Sequence, residues 1–71
     1  MQENDCALYT IKEVSKILRV TPRLVYDLVN HGLLPAIKLG SLKVRHQDLA
    51  DFLIRYNGFD VSDPENVQSL F

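Results

Sequence analysis

The sequence predicts a mainly α-helical fold with a small β-hairpin: a winged helix-turn-helix of three helices and a two-stranded wing. Two helix-start signals eleven residues apart, at Thr10 and at Thr21-Pro22, predict consecutive helices joined by a short connection. An alternating apolar pattern on both sides of Gly40-Ser41 predicts the hairpin. A third apolar stripe near the C-terminal end predicts the helix that closes the core.

Size and composition limit the class of protein. With 71 residues the chain makes one domain with a thin core, which leaves little material for an enclosed catalytic cavity. It has no apolar run of the roughly 18 residues that a membrane span needs, and no basic-then-apolar leader. The single cysteine, Cys6, cannot form an internal disulfide. We therefore expect a cytoplasmic protein with no membrane partner.

Charge is distributed unevenly along the chain. The net charge is −1, but all eight lysines and arginines lie between residues 9 and 57, where only four carboxylates oppose them. That segment therefore carries +4, and the two ends carry the other five carboxylates. A basic folded unit with acidic ends is compatible with a polyanionic partner, because binding depends on the local field.

The first predicted helix runs from about Ile11 to Leu18. Thr10 and Glu13 can each bond the backbone amide of the other, the reciprocal pairing that stabilises a helix start. Residues 1–8 lack periodicity and are expected to form a flexible lead-in. The stripe expected to face the core is Ile11, Val14, Ile17 and Leu18.

The second predicted helix runs from Pro22 to about Asn30. Thr21 is the expected N-cap, and Pro22 suits the first helical position because its missing amide proton costs nothing there. Gly32 supplies the left-handed residue that ends the helix. The inward set is Val25, Leu28 and Val29, and the outward set is Arg23, Tyr26, Asp27 and Asn30.

The predicted hairpin joins 36–39 to 42–45 through a two-residue Gly40-Ser41 turn. This register sets Lys38 opposite Lys43. It predicts an apolar side of Ile37, Leu39, Leu42 and Val44 and a cationic side of Lys38, Lys43 and Arg45. Because like charges directly opposite destabilise a free sheet, this pattern favours an anion beside the wing.

The third predicted helix runs from Leu49 to about Tyr56, with Asp48 as its cap or in its first turn and Asn57-Gly58 at its end. Its expected inward stripe is Leu49, Phe52 and Leu53. The winged helix-turn-helix domain then spans 9–58, and 59–71 form an acidic C-terminal tail. The tail's apolar residues either dock on the domain or leave the tail mobile.

From Tyr9 to Tyr56 the chain resembles the excisionase-family DNA-binding domain, a small winged-helix relative of the MerR-type head. The matching elements are Tyr9-Thr10-Ile11-x-Glu13-Val14, Val20-Thr21-Pro22-x-x-Val25-Tyr26-x-Leu28-Val29, Gly32-x-Leu34-Pro35-Ala36, Leu39-Gly40 and Asp48-Leu49-x-x-Phe52-Leu53. The order and spacing of these pieces together carry the resemblance. It implies binding of duplex DNA through the second helix in the major groove and the wing against the backbone.

The chain departs from the family pattern at three places. Arg19 stands where the family usually has glycine, so a left-handed backbone there would cost about 1 kcal/mol relative to glycine. The wing is one residue shorter, and Ser41-Leu42 replace the basic residues that usually follow its glycine. Asp27 stands where the family tends to be basic. It could accept a hydrogen bond from a cytosine amino group.

The predicted DNA-binding residues fall in two groups. Arg23 and Asn30 would reach base edges or phosphates, while Tyr26 and Thr21 would bind phosphates, the latter with the helix N-terminus. The alternative interpretation is that these side chains are only exposed to solvent and bind nothing. The full set is Thr21, Arg23, Tyr26, Asp27 and Asn30 on the second helix, and Lys38, Ser41, Lys43 and Arg45 on the wing.

The sequence therefore predicts sequence-specific binding of duplex DNA and no enzymatic activity. One cysteine and two separated histidines lack metal-site spacing, and no nucleophile-base set can be assembled, so no cofactor or small-molecule substrate is expected. The biological role that we predict first is that of an excisionase-like recombination accessory factor of a phage or mobile element, acting beside an integrase or with further copies of itself. The alternatives are a small transcriptional regulator of the same fold and a protein-interaction adaptor that uses the tail or the third helix.

Overall fold

A computed structural model describes residues 7–70; expectations about residues 1–6, including Cys6, and about Phe71 lie outside the described residues. Three helices and short strands follow one another along this part of the chain. In order they are β1 Leu8–Thr10, α1 Ile11–Leu18, α2 Pro22–Asn30, β2 Ile37–Leu39, β3 Ser41–Arg45, α3 His46–Arg55, β4 Phe59–Asp60 and β5 Gln68–Ser69. This confirms the mainly α-helical winged helix-turn-helix. Within residues 7–70, no helix is long and apolar enough to cross a bilayer.

The starts of α1 and α2 confirm the two helix-start signals. The Glu13 amide donates to Thr10 Oγ1 at 3.1 Å, and the Thr10 amide donates to Glu13 Oε1 at 2.9 Å. At the second helix, Thr21 is the N-cap and Pro22 occupies the first helical position. Gly32 follows α2 with φ 75°, as predicted. These signals are local to a few residues, so tertiary packing does not override them.

The core lies between the helices and the inner face of the sheet. Its buried apolar side chains are Ile11, Val14, Val25, Leu28, Leu34, Val44, Leu49 and Phe52. Each predicted stripe contributes to this set, and α1 adds Ser15, whose buried hydroxyl donates to the Lys12 carbonyl oxygen at 2.6 Å. The small buried polar group is therefore satisfied within its own helix.

Two helix residues predicted to face the core do not. Ile17 on α1 and Leu53 on α3 are each 49 % exposed. Both lie at the edge of a stripe whose other members already fill a thin core. The apolar face of each helix is consequently narrower than its sequence pattern suggests.

The wing belongs to a three-stranded antiparallel sheet with strand order β1-β3-β2. The strand β1 was not predicted, because three residues beside a helix cap carry too little periodicity to signal a strand. It pairs Tyr9 with Val44, and the His46 amide donates to the Ala7 carbonyl oxygen at 3.0 Å. The additional strand β1 thus makes β3 the central strand of the sheet. It also joins the N-terminal end of the described chain to the start of α3.

The predicted register of the hairpin is wrong by one residue. Lys38 lies opposite Leu42, and Ile37 lies opposite Lys43, so Gly40 alone separates the paired Leu39 and Ser41. Gly40 has φ 78°, which glycine adopts without strain. The slip also avoids the like-charge pair that the predicted register requires.

This slip changes the faces of the wing. Ile37 and Leu39, predicted to face inward, are 41 % and 56 % exposed on the face that also carries Lys43. Lys38 moves to the face of Leu42, so the predicted cationic side of Lys38, Lys43 and Arg45 does not form. Val44 remains fully buried, as predicted.

The last helix begins earlier than predicted, at His46, directly after β3. Asp48 lies in the first turn of this helix. This is one of the two positions predicted for it, the other being the cap. Beyond α3, Phe59 pairs with Ser69 and Asp60 pairs with Gln68, and Val61 packs against the core. We call residues 59–69 the C-terminal hairpin.

Candidate nucleic-acid interface

The turn between α1 and α2 fixes where the second helix begins. Arg19 ends α1 in the left-handed conformation, with φ 60° and ψ 43°. The next amide, that of Val20, donates to the Ser15 carbonyl oxygen at 2.9 Å. Such a left-handed cap satisfies carbonyls at the helix end and turns the chain sharply. The sequence-based concern about Arg19 is therefore confirmed: a side chain occupies a position that favours glycine.

The N-terminal end of α2 is exposed. The Leu24 amide donates to Thr21 Oγ1 at 3.2 Å, while Thr21, Pro22 and Arg23 are all on the surface. The backbone dipoles of a helix give this end a partial positive charge, and the Arg23 guanidinium adds a full one. This combination suits an anion such as a DNA phosphate.

The outward face of α2 matches the predicted set with one difference. Arg23 and Asn30 are exposed and Tyr26 is 46 % exposed, whereas Asp27 is partly buried. Donors, acceptors and an aromatic ring therefore share one helix face, the combination that reads base edges and holds phosphates.

The wing groups three of its four predicted residues. Ser41, Lys43 and Arg45 alternate along β3 and share its outer face. The Lys43 ammonium donates to Ser41 Oγ at 2.7 Å, so a neutral hydroxyl, and not a carboxylate, orients this lysine. Lys38 is exposed but lies on the other face.

Arg45 differs from the other wing cation because a carboxylate already binds it. Its guanidinium donates two hydrogen bonds to Asp48, at 2.8 Å and 3.0 Å. These bonds, with the attraction between the charges, raise the pKa of Arg45 and hold the pKa of the Asp48 carboxyl below its usual value. Arg45 therefore contributes less positive field than its charge suggests.

The lysines and arginines of the described residues other than Arg45 are available to bind a polyanion. Among the described residues, Arg45 forms an ion pair with Asp48, and the His31 ring lies 3.7 Å from the Glu65 carboxylate. The remaining lysines and arginines in this part of the chain have no carboxylate within 4.0 Å. Over residues 7–70 there is neither a pocket nor a cluster of three metal-ligating side chains.

Two contacts in this region had no local sequence signal. Tyr9 Oη and His46 Nδ1 lie 2.9 Å apart, across β1 and the start of α3. His31 Nε2 at the end of α2 lies 3.7 Å from Glu65 Oε1 of the C-terminal hairpin. The partners are distant in sequence, so only the folded chain brings them together.

The fold and the exposed second helix define a helix-turn-helix domain. The comparison with known families agrees, since the model of a helix-turn-helix domain family matches residues 8–56. The chain belongs to this excisionase-like helix-turn-helix family, and the resemblance drawn from the sequence is confirmed.

Relatives are found in two bacteria. The chain is 38% identical over 53 residues to "Putative DNA-binding protein Rv0500A" of Mycobacterium tuberculosis, covering 73% of this chain and 68% of that protein. It is 40% identical over 50 residues to "Uncharacterized protein YvgK" of Bacillus subtilis, covering 69% of this chain. The match spans only 16% of YvgK, so there the domain is part of a much longer protein. No solved structure matches the chain.

Proposed function

We propose that this protein binds duplex DNA sequence-specifically, with α2 in the major groove and the β2-β3 hairpin against the backbone. The observation that carries the proposal is the exposed outer face of α2 in a domain of the helix-turn-helix family. The relative from Mycobacterium tuberculosis that is named a putative DNA-binding protein supports it.

On α2, each exposed side chain has a role that its chemistry permits. Arg23 and Asn30 reach base edges or phosphates, and the Tyr26 hydroxyl binds a phosphate. Thr21 and the free N-terminal end of the helix hold a second phosphate. Asp27 accepts a hydrogen bond from a cytosine amino group, a contact that carries sequence information.

On the wing, Lys43 is the principal phosphate contact. Its bond to Ser41 points it along the strand toward the turn, and its charge is not offset by a carboxylate. Arg45 makes a weaker phosphate contact because it is already paired with Asp48. Lys38 reaches the DNA backbone from the other face of the hairpin. Affinity then depends on fewer cations than the composition of residues 9–57 suggests.

The biological role that fits best is that of an excisionase-like recombination accessory factor of a phage or mobile element in the bacterial cytoplasm. Such a factor binds DNA beside an integrase, alone or with further copies of itself. A small transcriptional regulator has the same fold and DNA chemistry, and the bound sequence separates the two roles. An enzymatic activity forms no part of the proposal.

The test is selection of bound fragments from random duplex DNA, followed by anisotropy titration with the selected duplex. We expect Arg23→Ala and Lys43→Ala each to weaken binding while the proteins remain folded, because both remove a DNA contact. The matched control is Arg55→Ala, which removes an exposed cation from the end of α3. If Arg23→Ala and Lys43→Ala bind as tightly as the parent, the assignment of α2 and the wing is wrong.

A protein-interaction adaptor is the second candidate, and an exposed apolar surface on α3 favours it. Ile54 is 76 % exposed and its neighbour Leu53 is 49 % exposed, in a chain with little apolar material to spare. An adaptor would select no sequence from the random pool and would bind no duplex at low salt. Either result would favour the adaptor over the DNA-binding protein.

A further inference from the structure

The two ends of α2 differ in charge. The N-terminal end carries Arg23 and the positive end of the helix dipole. The last turn holds Asp27 and no basic residue, and the helix dipole makes this end negative. The C-terminal hairpin adds the carboxylate of Glu65, 3.7 Å from His31, the residue that ends the helix.

The structure of the C-terminal hairpin keeps Glu65 at this place. The strands β4 and β5 pair, and Val61 packs against the core. Between the strands, the Glu65 amide donates to Asp63 Oδ1 at 3.2 Å and the Asn66 amide donates to the Asp63 carbonyl oxygen at 2.9 Å. The backbone that carries Glu65 is thus ordered by its own turn.

From this arrangement we propose that Glu65 is a positioning residue for DNA, which rests on the proposed function of α2. Its carboxylate repels phosphates from the C-terminal end of α2, so the helix meets the duplex through its N-terminal end. Asn30 and Asp27, near the repelling end, then face base edges rather than the phosphate backbone. The C-terminal hairpin in this way lowers affinity and fixes the direction of the helix in the groove.

The expected size of the effect follows from Coulomb's law. A single charge roughly 10 Å from a phosphate in water changes affinity about two-fold, and several phosphates within reach raise this to about four-fold. The interaction is screened, so it fades when the Debye length falls to a few ångströms in concentrated salt. Glu65 is 73 % exposed at its side chain, so its replacement should not unfold the protein.

The experiment measures the dissociation constant of a labelled duplex that the parent selects from a random pool. We expect Glu65→Gln to bind the duplex about two- to four-fold more tightly than the parent at low salt. Glu65→Lys should also bind more tightly than the parent, by about the square of that factor. Both gains should disappear in about 1 M salt. The control pair is Asp51→Asn and Asp51→Lys, which changes the net charge equally at an exposed position of α3.

Four outcomes of this experiment are informative. Tighter, salt-sensitive binding by the Glu65 variants alone supports the positioning role. Equal binding by parent and Glu65 variants, or an equal gain from the Asp51 variants, overturns it while leaving DNA binding in place. A parent that selects no duplex at all overturns the proposed function instead.

Discussion

Arg19 occupies a backbone conformation that a side chain destabilises. Its φ of 60° lies in the left-handed region, where glycine avoids the clash between Cβ and the following carbonyl. We expect Arg19→Gly to raise the free energy of unfolding by up to about 1 kcal/mol, because relief of the clash exceeds the entropy that glycine adds to the unfolded chain. Thermal and urea unfolding measure the change.

A matched variant separates strain from charge at this position. Arg19→Ala removes the same cation but keeps a Cβ in the left-handed region, so it should be no more stable than the parent. If Arg19→Ala gains as much stability as Arg19→Gly, relief of backbone strain is not the cause.

The ion pair of Arg45 and Asp48 makes stability depend on pH in acid. The folded-state pKa of Asp48 lies below its unfolded value, because the Arg45 guanidinium binds the ionised form. The pair therefore stabilises the fold above the unfolded pKa of about 3.9, and this contribution is lost as pH falls through the folded pKa. Urea unfolding of the parent and of Asp48→Asn should differ at pH 6 and converge in stronger acid. A difference that does not vary with pH would contradict this.

At the scale of elements, the hairpin register separates Lys38 from Lys43. In the predicted register the two would be directly opposite, but the structure places them on opposite faces of the sheet. A double-mutant cycle of Lys38→Glu and Lys43→Ala should therefore give a coupling energy below about 0.3 kcal/mol. A coupling energy of about 0.5–1 kcal/mol would mean that the two residues are directly opposite, as in the predicted register.

The same cycle with Ile37→Glu is the positive control. Ile37 lies opposite Lys43 and is 41 % exposed, so a carboxylate at this position can pair with the ammonium. We expect measurable coupling here and none at Lys38.

Buried and exposed leucines of the helices should differ sharply in their contribution to stability. Leu28 on α2 is 2 % exposed, whereas Leu53 on α3 is 49 % exposed despite its place in an apolar stripe. Leu28→Ala should lower the free energy of unfolding by about 2–5 kcal/mol, since it leaves a cavity. Leu53→Ala should cost less than about 1 kcal/mol. Equal losses in urea unfolding would mean that Leu53 is part of the core.

Local signals predicted the helices better than the strands. The bounds of α1 and α2 agree with the sequence because Thr10 and Thr21 cap helices through contacts within a few residues. The start of α3 differs because Arg45, its N-cap, makes no side-chain capping bond and so leaves no signal. The strand β1 and the slip of the hairpin depend on pairing across the fold, which the alternation of residues does not determine.

At the scale of the whole molecule, the sequence predicted which residues lie on the outward face of α2 but not what surrounds them. The outward face of α2 follows from helical spacing alone. The place of Glu65 beside His31 does not follow, because it depends on a tertiary contact. The pairing of Arg45 with Asp48 is local, three residues apart, but it spans the junction of β3 and α3, whose position the sequence did not predict. The +4 of residues 9–57 already counts Asp48, but Glu65 adds a further carboxylate from outside that segment, so the positive field near the end of α2 is weaker than the segment alone suggests. Modest affinity for DNA is expected unless copies or partners cooperate.

If this protein binds duplex DNA through its cations, its affinity must fall as the salt concentration rises. Each phosphate that the protein neutralises lowers log K by about 0.9 per unit of log salt. With Lys43 and Arg23 as principal contacts and Lys38 and Arg45 assisting, we expect a slope between about −2 and −4. A slope in that range, reduced by Arg23→Ala or Lys43→Ala, is the predicted result. Absence of duplex binding at low salt, or affinity that does not change with salt, would contradict the account.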